Sequence, residues 1–131
     1  MPTPHPVISI DIASPTPVYR QVADAVRALL VSGRLKPGDS LPTGRELATD
    51  LGVHHNTVAE SYRLLADEGW LDLKRRRGVT VLARTAPAPS AAVDRSFRRR
   101  LEELAAEARA QGLSAADVAQ ALRTVASAQK G

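Results

Sequence analysis

The sequence predicts an α+β fold, mainly α, in two parts: a compact domain over residues 1–82 and a two-helix segment over 93–131, joined by a linker over 83–92. Three observations predict it. Apolar residues recur at helical spacing in runs that stop at glycines. Two short alternating runs flank the basic stretch Lys74-Arg75-Arg76-Arg77-Gly78. A Pro/Ala-rich stretch from Ala83 to Ala92 then breaks the pattern before helical spacing resumes.

The elements follow in order. Residues 1–6 are Pro-rich and predict a mobile start. Ile8, Ile10 and Ile12 alternate with Ser9 and Asp11, which predicts a short half-buried strand. Thr16 as cap and Pro17 at the first helical position open a first helix, with Val18, Val22, Val26, Leu29 and Leu30 on one face and Gly33 as its stop. Pro37-Gly38 forces a turn. Thr43-x-x-Glu46 is a capping box, so a second helix runs from there through Leu47, Ala48 and Leu51 to Gly52. A third helix spans His55 to Glu68, with Val58, Tyr62 and Leu65 inward and Gly69 as its stop.

Leu71 and Leu73, then Val79 and Val81, predict two strands joined by the basic tip. Helix, tight turn, helix and basic hairpin together make a winged helix-turn-helix. Tyr62 and Trp70 read as core. Beyond the linker, Val93, Phe97, Leu101, Leu104 and Ala108 mark a fourth helix, ending at Gly112. Ser114-x-x-Asp117 caps a fifth, whose apolar face is Val118, Leu122 and Val125.

Composition narrows the function classes. Cysteine is absent, which removes disulfide and thiolate chemistry and predicts a reducing, cytoplasmic setting. No apolar run approaches the roughly 18 residues a membrane span needs, so no membrane partner is expected. The N-terminus lacks the basic and apolar regions of a secretory signal. No Gly-rich phosphate loop, HExxH or nucleophile motif occurs, so the reading is not an enzyme, with no cofactor. His54 and His55 diverge by about 100° on a helix start, and no cysteine completes a site, so no metal is expected. Residues 1–83 carry ten Lys/Arg against nine Asp/Glu; the basicity is clustered, at Lys74–Arg77 and at Arg95, Arg98, Arg99 and Arg100.

The expected partner is double-stranded DNA. A helix-turn-helix puts the N-terminus of its second helix against base edges while the first crosses the backbone. His55, Asn56 and Thr57 stand at that N-terminus. Asn56 can pair bidentately with adenine, or else merely cap the helix. Arg45, just past the second helix's cap, can hold a phosphate or a guanine edge, or pair with Asp50 instead. Arg75, Arg76 and Arg77 would neutralise phosphates, with Gly78 allowing close backbone approach; the bland reading is a charged edge that discourages sheet pairing. The fourth and fifth helices cannot bury their stripes on each other. Phe97, Leu101, Leu104, Val118, Leu122 and Val125 are therefore expected to face a second copy in a two-fold homodimer, or to fold back on the winged domain of a monomer.

These residues resemble a known family. Leu41-Pro42-Thr43-x-Arg45-Glu46-Leu47-Ala48, Asn56-Thr57-Val58, Tyr62-Arg63-Leu64-Leu65 and Glu68-Gly69 look like the GntR family of bacterial transcriptional regulators. Pro17-Val18-Tyr19-Arg20-Gln21-Val22 and Gly33 to Ser40 are similar to its opening helix and turn, so the likeness covers residues 7–82. The short segment after the wing, with Gly112-Leu113-Ser114 before Asp117-Val118, looks most like the YtrA subfamily. The resemblance implies homodimeric repressors on inverted-repeat operators, often near genes for ABC transporters. It implies DNA-contact positions at Arg45, His55, Asn56, Thr57, Arg77 and Gly78. Ala59 departs, since many relatives carry Arg there; a missing Arg alters readout of one base by about 1–3 kcal/mol. Any small-molecule effector would bind at the dimer interface or between domains, and no residue set identifies one. The competing class is a non-specific or architectural DNA-binding protein, which would need more uniform basicity than a net +1 over residues 1–83.

Overall fold

The first helix, α1 (Val18–Val31), is amphipathic, and its buried stripe of Val22, Ala23, Val26 and Leu30 founds the core. The computed structural model describes residues 8–74 and 78–129. The Pro-rich start (residues 1–6) and the basic tip residues Arg75, Arg76 and Arg77 lie outside the described residues. The remaining elements are β1 (Ser40–Leu41), α2 (Gly44–Leu51), α3 (His55–Asp67), β2 (Leu71–Asp72), β3 (Val79–Val81), α4 (Ala91–Ala110) and α5 (Ala115–Ala128). The chain divides into two compact units between Arg84 and Thr85.

In the first unit α3 packs against both α1 and α2, and a three-stranded antiparallel sheet in the order β1-β3-β2 closes the core. Leu41 pairs with Val79 and Leu71 with Val81, so these four apolar side chains all come to lie inside. Val58, Tyr62 and Leu65 of α3 meet Leu47 and Ala48 of α2 in the same core. Ser61 is buried with them: it donates to the Tyr19 carbonyl at 2.6 Å and sits 3.0 Å from the Thr57 carbonyl, tying α3 to α1.

The punctuation follows the sequence closely. Both halves of the Thr43/Glu46 capping box are present, and Gly52 ends α2 in the left-handed conformation at φ 71°. Lys36 to Asp39 forms a turn with Gly38 at φ 91°, closed by the Asp39 amide donating to the Lys36 carbonyl at 2.9 Å.

Several expectations are corrected. The Ile8–Ile12 strand does not form. Ile8 and Ile10 pack on the core, but Ile12 is 84% exposed. The backbone there is satisfied by a side chain instead of a ladder: Gln21 accepts from the Asp11 amide and donates to the Asp11 and Thr16 carbonyls. α1 has no side-chain cap, and Pro17 rather than Thr16 holds the cap position. The hairpin is part of a larger sheet, since β1 joins it, and Leu73 lies exposed beyond the end of β2. Trp70 is only half-buried.

The linker expected over residues 83–92 is shorter at both ends. Arg84 belongs to the winged unit because it is bound there. Its Nε donates to the Glu68 carbonyl at 2.7 Å and its guanidinium lies 4.5 Å over the Trp70 ring. Ala91 and Ala92 are helical because Ser90 caps α4, accepting from the Val93 amide.

In the second unit, α4 and α5 are joined through Gly112 at φ 107°, and Ser114 with Asp117 forms the second capping box. No residue of either helix is buried. Among the described residues, no helix is long and apolar enough to cross a membrane.

Candidate nucleic-acid interface

The start of α3 is built around His54. Its backbone is extended at φ −71°, ψ 141°, and its Nδ1 accepts from the Asn56 amide at 3.1 Å. The cap is therefore His54, and the Asn56 side chain, exposed on the first turn, is left free for another partner. Using Nδ1 as acceptor puts the ring proton on Nε2. The His55 ring stacks on His54 with centroids 4.4 Å apart. The amides of this first turn carry the positive end of the helix dipole, which favours an anion nearby.

Arg45 reaches the same place from α2. It stands exposed inside the capping box, and it lines a depression of about 250 Å³ with Ala48, Thr49, Val53, His54 and His55. The structure thus brings Arg45 and His55 together, with Asn56 next in the chain on an exposed turn. Thr57 is half-buried. Glu60 and Arg63 are exposed further along α3.

Gly78 has a backbone reason to be glycine. Its φ is 116°, and a Cβ there would lie 3.4 Å from the Leu41 carbonyl oxygen. Sequence reasoning missed this neighbour because it depends on β1, a two-residue strand without periodicity. It also missed the Tyr62 hydroxyl, which donates to the Pro42 carbonyl at 2.8 Å.

At the other end of α3, the Glu68 carboxylate accepts three hydrogen bonds from two partners. Arg27 on α1 donates from Nε to Glu68 Oε1 at 2.9 Å and from Nη2 to Oε2, a two-point fork. The Trp70 indole also donates to Oε1, at 3.2 Å. These bonds, Arg27's first, hold the Glu68 carboxyl below the usual carboxylate range, against a smaller opposing effect of burial.

The apolar stripe of the second unit is open. Phe97 and Leu104 are 61% and 62% exposed, Leu122 and Val125 are exposed, and Leu101 and Val118 are half-buried. A groove of about 590 Å³ runs along α4, lined by Val93, Phe97, Leu101 and Leu104 with Arg100 and Glu107 among its polar margin.

With this geometry in hand, known proteins can be compared. The pattern of the family described as bacterial regulatory proteins, gntR family, matches residues 18–81, from the start of α1 to the end of β3. The HTH-type transcriptional repressor YtrA of Bacillus subtilis strain 168 is 41% identical over 75 residues, which is 57% of this chain. The match spans 58% of that repressor's own length. An HTH-type transcriptional regulator of Mycobacterium tuberculosis is 36% identical over 114 residues, covering 84% of this chain and 86% of the relative. A solved structure of YtrA from Sulfolobus acidocaldarius, a GntR-family transcription factor, is 38% identical with a TM-score of 0.56, covering 79% of this chain and 97% of that one. The core, the capped turn between α2 and α3 and the near-full-length likeness agree: the chain belongs to the gntR family of bacterial regulatory proteins, as a YtrA-like member.

Proposed function

We propose that the chain is a homodimeric, sequence-specific transcription regulator that binds an inverted-repeat operator and represses by covering promoter DNA. The observation that carries this reading is the face at the start of α3. Arg45, His55 and Asn56 are exposed there, and His54 takes over the capping that would otherwise occupy Asn56. A major groove admits one helix, whose first turn meets the base edges. Asn56 is suited to adenine, Arg45 to a guanine edge or a phosphate, and Thr57 to a phosphate at the helix N-terminus. Arg75, Arg76 and Arg77 add cations directly before β3 in sequence and supply a salt-dependent share of the affinity.

Dimerisation follows from the second unit. The stripe of Phe97, Leu101, Leu104, Val118, Leu122 and Val125 is an apolar surface that α4 and α5 do not bury on each other. A second copy covers it by two-fold symmetry and presents two winged units to two half-sites.

Fluorescence anisotropy tests the reading, using the duplex upstream of the chain's own gene and a scrambled control at two salt concentrations. Preference for the upstream duplex by about a thousandfold or more supports operator binding. Equal affinities that collapse together with salt would favour non-specific binding, and no binding at low salt would overturn the DNA reading.

A further inference from the structure

We propose that Tyr62 and Gly78 are positioning residues for DNA recognition, which through the segment Leu41–Gly44 fix the base of the wing relative to α3. The inference rests on the DNA-binding reading above and concerns how its parts are held in one geometry.

Four consecutive residues are gripped from three sides. From α3, the Tyr62 hydroxyl donates to the Pro42 carbonyl at 2.8 Å, from a side chain only 3% exposed. α2 begins directly against α3: a Cβ on Gly44 would lie 4.0 Å from the Ala59 backbone nitrogen and from Val58 Cγ1. From the sheet, Leu41 pairs with Val79, and Gly78, at a φ of 116° that L side chains rarely adopt, lies against the Leu41 carbonyl, where a Cβ would make van der Waals contact at 3.4 Å. From α2, Thr43 is the cap, with Glu46 closing the box around Arg45. Arg45, the first turn of α3 and the residue that follows the basic tip are thus all referred to the same short piece of chain.

Proline at 42 has no N–H, so at that residue only the carbonyl can be held by a hydrogen bond. The hydroxyl of Tyr62 is the side-chain hook from α3 that holds it. That hydroxyl stays a donor, because burial and the Glu46 carboxylate both push its ionisation up. A hydroxyl with only a packing role would lower stability and leave the ratio of specific to non-specific binding unchanged. A positioning hydroxyl changes that ratio, since phosphate contacts tolerate small displacements that base contacts do not.

The test starts with wild-type protein selecting a sequence from a random duplex pool. Wild type, Tyr62→Phe and Gly78→Ala are then titrated on the selected duplex and on a scrambled one, where circular dichroism shows each protein folded. We expect each variant to lose about tenfold on the selected duplex, the discrimination one base contact supplies. Affinity for scrambled DNA should stay within about twofold, as phosphate contacts carry no sequence information. Hydroxyl-radical footprints should lose the outer protection while keeping the central one. An unchanged ratio in either folded variant overturns the inference, and so does failure of both variants to fold. A wild type that selects no sequence ends the functional reading itself, a result distinguishable from the other two.

Discussion

The two units of this chain use the same kind of residues to opposite effect. In the winged unit, Leu65 on α3 is fully buried among side chains from α1, α2 and the sheet. In the helical unit, Leu104 on α4 is 62% exposed, and neither α4 nor α5 buries a single residue. Both helices carry an apolar stripe at helical spacing and both are capped. The difference is the number of surfaces available to each. α3 lies between two helices with a sheet beside it, whereas within the second unit α4 and α5 have one another. An amphipathic stripe states that burial is required, and only the count of neighbouring elements says whether one chain can supply it.

The largest effect should come from filling the open stripe with charge. Leu101→Asp together with Leu104→Asp should give monomers by sedimentation velocity and weaken operator binding by about a hundredfold or more, as the second half-site loses its tether. A double variant that stays dimeric would break the contrast between the units. The next effect sharpens it with one substitution made twice. Leu65→Ala should cost about 3 kcal/mol at every protein concentration, as expected of a filled core. Leu104→Ala should lower the melting temperature in a concentration-dependent way only, because its burial waits on association.

A smaller effect concerns the fork between Arg27 and Glu68. The Glu68 carboxyl is held below its ordinary range, so its contribution is complete above the unfolded glutamate value of about 4.3 and is lost as pH falls through the lower folded one. Thermal melts of wild type should therefore steepen their decline below that pH. Glu68→Gln should melt lower at neutral pH and converge on wild type in acid; parallel curves would show that the fork contributes no pH-dependent stability. The smallest expected effect is at Ser114. Removing that cap by Ser114→Ala should fray the first turn of α5 in far-UV circular dichroism and leave the melting of the winged unit unchanged.

Most of the winged unit was legible because its signals are local. The Thr43/Glu46 box, the stop at Gly52 and the Pro37-Gly38 turn each depend on residues within a few positions of one another, as does the Ser114/Asp117 box of the second unit. What escaped depends on distant partners. The alternation at Ile8–Ile12 is real, yet Gln21 takes the hydrogen bonds a strand would have used. Nothing local marks Ser61 for burial, since its acceptor, the Tyr19 carbonyl, lies on another helix. β1 has two residues, too few for any period. At the candidate site Arg45 and His55 line one depression, and the cap at His54, readable from its place just before the third helix, is made by its Nδ1.

Arg84 carries a practical consequence for anyone wishing to excise the winged unit. A fragment cut after Leu82, where the last sheet strand has just ended, would remove the cation from the Trp70 face and the donor from the Glu68 carbonyl. It would expose an indole face that the guanidinium covers in the intact chain. A cut two residues later keeps the seam sealed, so the boundary of the unit is set by a guanidinium lying on a ring.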